Sequence, residues 1–268
     1  MTRLFCLTAL TLTLLAPAAA LASNCYAFVQ NLPGVKYATL GPVAAKASEV
    51  SITYVGHSTF RIETEAGIVI NTDYFGANGE GKLPDVVTMN KAHETHYTNF
   101  VDPAIRHVLR GWNPAGGPAE HLLELQDVTI RNVTTDIRGW GTPEKDGNSI
   151  FVFEVADMCI GHLGHLHHEL TEAHYALLGR LDIVMAPVDG SYTLSTPAMI
   201  RVLKTLKASL VLPMHAFGGY SLKQFLAGMR SDFEIRVHDS GTITVSLETL
   251  PSRPTVMALQ TRFEREYD

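Results

Sequence analysis

Cysteine is scarce, with 3 in 268 residues and no C-x-x-C pair, which excludes a zinc ribbon and a dithiol redox motif. Positive charge is in deficit: 21 Lys+Arg stand against 27 Asp+Glu, a formal net charge of −6. Such a chain is a poor match for nucleic acid or an anionic membrane. There is no G-x-S-x-G, and Cys159 falls inside an apolar strand pattern, so neither a serine elbow nor an activated thiol is written here. After the first 22 residues no apolar run is long enough to span a bilayer. Repeats, low-complexity tracts and linkers are also missing. With 46% hydrophobic and 18% charged residues, the chain can bury a sizeable core.

The opening "MTRLFCLTALTLTLLAPAAALAS" has a basic start at Arg3, an apolar run, and small residues ending Ala20-Leu21-Ala22. This is the pattern of a secretory leader over 1–22 cut after Ala22, with periplasmic or secreted destination and no membrane anchor in the mature chain. Removal takes away Arg3 and no acid, so the mature chain is more acidic still. Cys6 leaves with it. Cys25 and Cys159 then face an oxidising compartment, where they can pair or stay free, a choice that spacing does not make.

Residues 23–48 read as an N-terminal arm, and 49–268 as one domain. "EVSITYVG", "STFRIET" and "GIVINTD" alternate as an antiparallel meander. "PDVVTM" (84–89) is a further strand, "PAIRHVLRG" (103–111) reads as a helix, and "GWNPAGGP" as a loop. Three strands follow in "DVTIRNV", "NSIFVFEV" and "DMCIGHL". Helices over 169–179, 196–207 and 221–230 then alternate with "DIVMAPV" and "SLVLPMH" before the closing strands "FEIRVHD" and "TITVSLETL". Strands first, then strand and helix in alternation, predict an α/β fold with two sheets stacked between helix layers.

The 12 histidines are unevenly spread. His93 and His96 share the loop "MNKAHETHY", spaced so that one helical turn brings both rings to one side. His162, His165, His167 and His168 crowd "GHLGHLHH", and His215 ends "SLVLPMH". Histidines at strand ends are what a metal site requires. Three or four neutral imidazoles make a zinc-type site with an open position.

"YVGHSTFRIET" (54–64), "VVTMNKAHETH" (86–96), "NSIFVFEVADMCIGHLGHLHH" (148–168), "DIVMAPVDGSYTL" (182–194) and "LVLPMH" (210–215) resemble successive blocks of the metallo-β-lactamase superfamily. They are most similar to its branch related to L-ascorbate-6-phosphate lactonase. The resemblance implies a four-layer αββα sandwich with one or two metals between the sheets. Laid on this chain, the family's H-x-H-x-D-H falls on Lys91, His93, Thr95 and His96, so one histidine has become lysine and the aspartate threonine. Where the family has its next histidine, this chain has Asp136 and Ile137. Where the family has H-x-G-D, it has "HLGH", which puts His165 in the aspartate's place.

The expected metal ligands are therefore His93, His96, His165 and His215, holding one divalent ion: zinc first, with iron or manganese as alternatives. Losing two carboxylates weakens the case for two adjacent cations. Lys91, Thr95 and His162 are the candidate catalytic positions. Lys91 supplies a fixed charge for an anionic group or oxyanion, or acts as a neutral base, or is a solvated loop lysine. His162 orients the site. His57, Asp136 and Asp189 are candidates to hold a ligand or water in place, with Asp189 equally readable as a turn residue before Gly190. His167 and His168 read as surface histidines. The implied activity is hydrolysis of a small ester, lactone or phosphoester, an anionic small molecule included, by metal-activated water. The alternative is a non-catalytic protein that sequesters a metal or small ligand outside the cytoplasm.

Overall fold

The computed structural model describes Cys25, residues 48–139 and residues 142–260. The leader of 1–22 and nearly all of the N-terminal arm lie outside the described residues.

The first sheet is built from β1 (Val50–Gly56), β2 (Thr59–Glu63), β3 (Val69–Asn71), β4 (Val86–Met89) and β5 (His107–Arg110). The second takes β6 (Leu122–Leu125), β7 (Val128–Ile137), β8 (Glu144–Val155), β9 (Met158–His162), β10 (Ile183–Pro187), β11 (Leu210–Met214) and β12 (Glu234–His238). β13 (Thr242–Val245) returns to the first sheet and β14 (Thr255–Leu259) to the second. Their spatial orders are β13-β1-β2-β3-β4-β5 and β12-β14-β11-β10-β9-β8-β7-β6.

β1, β2 and β3 pair antiparallel, as the alternation of their residues predicts. β4 and β5 add to the first sheet in parallel; in the second sheet the pairing turns parallel from β9 to β12, and α1 (Glu172–Leu178), α2 (Thr196–Leu206) and α3 (Gly218–Met229) supply connections that parallel strands need.

Inward side chains of both sheets meet in one core. Ile52, Phe60, Ile62 and Ile70 of the first pack with Ile130, Phe151, Phe153, Ile183 and Met185 of the second. Burying each such side chain stabilises the fold by about 1.5–3 kcal/mol. The outer face of the second sheet is covered by helices, through Leu178, Met199, Val202, Leu203, Phe225 and Met229. On the outer face of the first sheet, Val87 and Met89 pack against Tyr74, Ile105 and Trp112. Among the described residues that outer layer is made of irregular segments rather than helix.

Residues 103–111 correct the reading of a helix. Their second half is β5, which pairs parallel with β4 from Val86↔His107 to Met89↔Arg110. Pairing with the open edge of β4 satisfies backbone groups that an isolated turn of helix after Pro103 would leave to solvent. β6 and β14 were not legible as strands of the sequence; both are short and gain order from longer neighbours. A disulfide joins Cys25 to Cys159 on β9, settling the choice that spacing left open.

Candidate metal centre

The carboxyl ends of strands from both sheets converge at one rim. β1 delivers His57, β3 delivers Asp73, β4 delivers Asn90 and the loop with His93 and His96, β9 delivers His165, β10 delivers Asp189, and β11 delivers His215. Ligands in open α/β sheets bind at such ends. His57, Asp73 and His215 sit at φ of 54°, 41° and 54°. That left-handed region is costly for residues with a Cβ and recurs where side chains are aimed at a functional point.

The rings of His93, His96, His165 and His215 face one another with centroids 4.5 to 6.4 Å apart. His57 joins from the side of β1, 4.3 Å from His215 and 5.1 Å from His96. Two triads offer nitrogens within 4.8 Å of one another: His93, His96 and His165, and His57, His96 and His215.

Outer partners fix which way the rings point. Asp73 accepts from His96 Nδ1 at 2.6 Å, and Asp189 Oδ1 accepts from His215 Nδ1 at 3.0 Å. In both rings the proton is thereby placed on Nδ1, and the lone pair on Nε2 is turned inward. Both Nε2 atoms are fully buried and have no hydrogen-bond partner. An orphaned buried nitrogen is costly unless something else satisfies it, and a metal ion does so. His93 Nε2 and His165 Nε2 face each other at 2.9 Å across the same space. The donor set fits a borderline-soft divalent ion such as zinc.

Electrostatics favour the neutral form of His57, His93 and His165. Burial, helped by the neighbouring His215 and His96, lowers the pKa of His57 to about 4. Burial and the same crowding lower His93 and, more strongly, His165. Burial opposes ionisation of Asp73, but His162, His96 and the bond from Asn90 outweigh it and hold the carboxyl below its ordinary value. Asp189 is held low too, because the bonds from His215, Thr193 and the backbone of the following turn override its burial.

Asp189 has two sets of partners. It bonds His215, and Oδ2 gathers the amides of Ser191, Tyr192 and Thr193. His57 stands beside the cluster with Nε2 on the Thr95 hydroxyl at 3.0 Å. Thr95 therefore touches the site through His57.

Three expected roles require correction. Lys91 places its ammonium on Glu144 of β8, with both side chains more than 40% exposed; water and a carboxylate solvate the charge better than a nest of imidazoles would. Asp136 pairs with Lys145 and the Asp146 amide instead of any ligating ring. His162 is buried, but Nε2 donates to Ser58 O and Nδ1 accepts from Gly164 N. With both nitrogens spent on backbone it braces two loops and has none left for substrate.

The residues that sequence reasoning missed stand behind the rings. Asp73 had one signal, a carboxylate just past the apolar strand "GIVIN". Asn90 bonds Asp73 at 2.8 Å and accepts from Ser149 N, so it locks that carboxylate. His167 is half-buried and lies with Nε2 2.6 Å from His165 Nδ1, and His168 buries an unpartnered Nε2; neither is a free surface histidine. Glycine is required at 164, just before His165, at φ +60°, since a Cβ would lie 2.4 Å from Asn148 Oδ1 and Asn90 Nδ2.

A two-sheet sandwich with buried, carboxylate-braced histidines at the carboxyl ends of its strands is an α/β fold with a candidate metal site. The family model described as a beta-lactamase superfamily domain matches residues 51–215, and the chain belongs to that superfamily, in its metallo-β-lactamase form.

It is similar to a UPF0173 metal-dependent hydrolase of Thermoplasma volcanium, 24% identical over 194 residues that cover 62% of this chain and 83% of the relative. Another of that description, from Thermococcus onnurineus, is 21% identical over 226 residues, covering 73% and 96%. A solved structure from Thermotoga maritima, described as a Zn-dependent hydrolase of the metallo-beta-lactamase superfamily, matches with a TM-score of 0.57 at 25% identity, covering 79% of this chain and 100% of that one. A metallo hydrolase of Ignicoccus hospitalis gives the same TM-score of 0.57 at 18% identity, covering 74% and 99%. These descriptions do not single out the lactonase branch.

Proposed function

We propose that this protein is an exported metal-dependent hydrolase that cleaves a small ester, lactone or phosphoester at a mononuclear histidine site. The observation that carries the reading is the pair of buried, unpartnered Nε2 atoms on His96 and His215, each backed by an ionised carboxylate. Relatives described as metal-dependent hydrolases support it.

Counting nitrogens supports one metal. Both triads need His96, whose Nδ1 is held by Asp73 and Ser58. Only Nε2 remains, and one lone pair binds one ion.

A divalent ion held there would supply Lewis acidity and lower the pKa of a bound water to about 7. His96 would hold it with either His93 and His165 or His57 and His215, the two sets whose nitrogens lie within 4.8 Å of one another. Asp73 and Asp189 keep two of those rings in the ligating tautomer and offset the ion's charge. His57 fixes the Thr95 hydroxyl at the edge of the cluster. The Cys25–Cys159 disulfide supports an oxidising location, periplasmic or secreted, as does the leader-like start.

The test is metal content per chain in mature protein purified without added metal, for wild type and His215→Ala. About one equivalent of zinc, iron or manganese, lost together with ester, lactone or phosphoester turnover in the variant, is the expected result. Metal and turnover both retained in His215→Ala overturn the assignment.

A second reading, a non-catalytic metal binder, is favoured by one feature: the carboxylates lie behind the rings, and Thr95 stands where the family has its aspartate. Stoichiometric metal with no metal-dependent turnover across the substrate panel would select it.

A further inference from the structure

Two aromatic rings stand over the histidine cluster. Phe217 lies 4.8 Å from His215 and 5.5 Å from His57, and Tyr192 lies 6.0 Å from His93. They meet each other edge to face at 5.6 Å, yet Tyr192 is 60% and Phe217 51% exposed. Single exposed aromatics are ordinary, but a contacting pair that touches the candidate ligand rings and faces solvent is a patch with a use.

Its backing is rigid. Asp189 Oδ2 holds the amides of residues 191, 192 and 193. From the other side the Arg138 guanidinium gathers the carbonyls of Ser191, Tyr192 and Thr193. Phe217 follows His215 by two residues and stands at the N-cap of α3. A wall fixed this firmly loses little freedom when a ligand lies on it.

Charge narrows the ligand. Two basic groups close to the site in sequence or contact are engaged: Lys91, on the loop of His93 and His96, by Glu144, and Arg138, behind the Tyr192 turn, by three carbonyls. Behind the cluster the carboxylates of Asp73 and Asp189 balance the charge of one divalent ion. A phosphoester needs cationic partners of its own, whereas a neutral carboxylic ester or lactone needs only the ion and an apolar contact.

We infer that the site takes a neutral carboxylic ester or lactone carrying a planar apolar group, which packs on Tyr192 and Phe217 while its carbonyl lies over the histidines. This rests on the hydrolase reading above and names the substrate class of the same site. Water adds to the carbonyl carbon, the C–O bond to the alcohol breaks, and the alcohol leaves with one proton.

The experiment uses metal-loaded mature protein, with 2-naphthyl acetate, methyl acetate and 4-nitrophenyl phosphate as substrates. The ketone 2-acetylnaphthalene serves as a probe that cannot be hydrolysed. In Phe217→Ala and Tyr192→Ala, KM for the naphthyl ester should rise about tenfold, at least fivefold more than for methyl acetate. Affinity for the ketone should fall in parallel, and Tyr192→Phe should restore it.

If no ester turns over but the ketone binds and depends on both rings, the recognition wall stands and the hydrolase reading fails. Equal effects on naphthyl and methyl esters would overturn the wall. Phosphate-ester turnover faster than that of either acetate would overturn the assignment of a neutral carboxylic ester or lactone.

Discussion

Replacing Asp73 with Asn probes the centre without touching a ligand. The native carboxylate offers two acceptors, one to His96 Nδ1 at 2.6 Å and one to Asn90 Nδ2 at 2.8 Å. An amide supplies one acceptor and one donor, so one bond must be lost. If the new NH2 faces His96 Nδ1, the imidazole proton shifts to Nε2 and the inward lone pair disappears. If it faces Asn90, donor meets donor, and Asn90 cannot flip because its Oδ1 accepts from Ser149 N at 2.7 Å.

Loss of a partner behind a ligating histidine costs about 10- to 100-fold in metal affinity, or about 1.4–2.8 kcal/mol. The metal-free protein should lose a further about 1–3 kcal/mol from the unsatisfied buried group. Zinc competition against a chromophoric chelator reads the first, and urea unfolding of the metal-free chain reads the second. Asp136→Asn is the control, since that carboxylate sits on Lys145 at the surface. Zinc affinity within twofold of wild type in Asp73→Asn would refute the claim that this carboxylate sets the tautomer of His96.

Acidification should destabilise the metal-free protein in two stages. His57 and His167 have folded values lowered to about 4 by burial first, so between the unfolded histidine value of about 6.5 and about 4 the unfolded chain binds more protons and stability falls as pH falls. Asp73 and Asp189, held below the ordinary carboxylate value, add a further loss below about pH 4; urea midpoints from pH 7 to 3 should show both, and a flat midpoint from pH 7 to 4 would contradict the burial of these rings. Lys91→Ala should change stability by less than about 0.5 kcal/mol, because its ion pair is exposed, and should leave metal content intact; loss of the metal would return Lys91 to the site. Gly164→Ala should lower stability by more than about 2 kcal/mol through φ strain and overlap with Asn90 and Asn148, visible in thermal unfolding.

The sequence by itself determined the elements whose pattern is local. Alternation in "EVSITYVG" and "STFRIET" wrote β1 and β2, long apolar runs wrote β10 and β11, and the change to strand and helix order wrote the layering. The histidines of "HETH", "GHLGH" and "LPMH" were legible as metal-type clusters because residue type and strand-end position suffice for that inference.

What each side chain does was decided by tertiary structure, because a hydrogen bond or charge partner can lie anywhere in the chain. Asp73 meets His96 across 23 residues, Lys91 finds Glu144 across 53, and Asn90 reaches Ser149 across 59. Tyr192 and Phe217 share no local pattern and become a wall only because β10 and β11 end side by side. Residues 103–111 became β5 for the same reason: an open strand edge nearby outweighed a weak local preference.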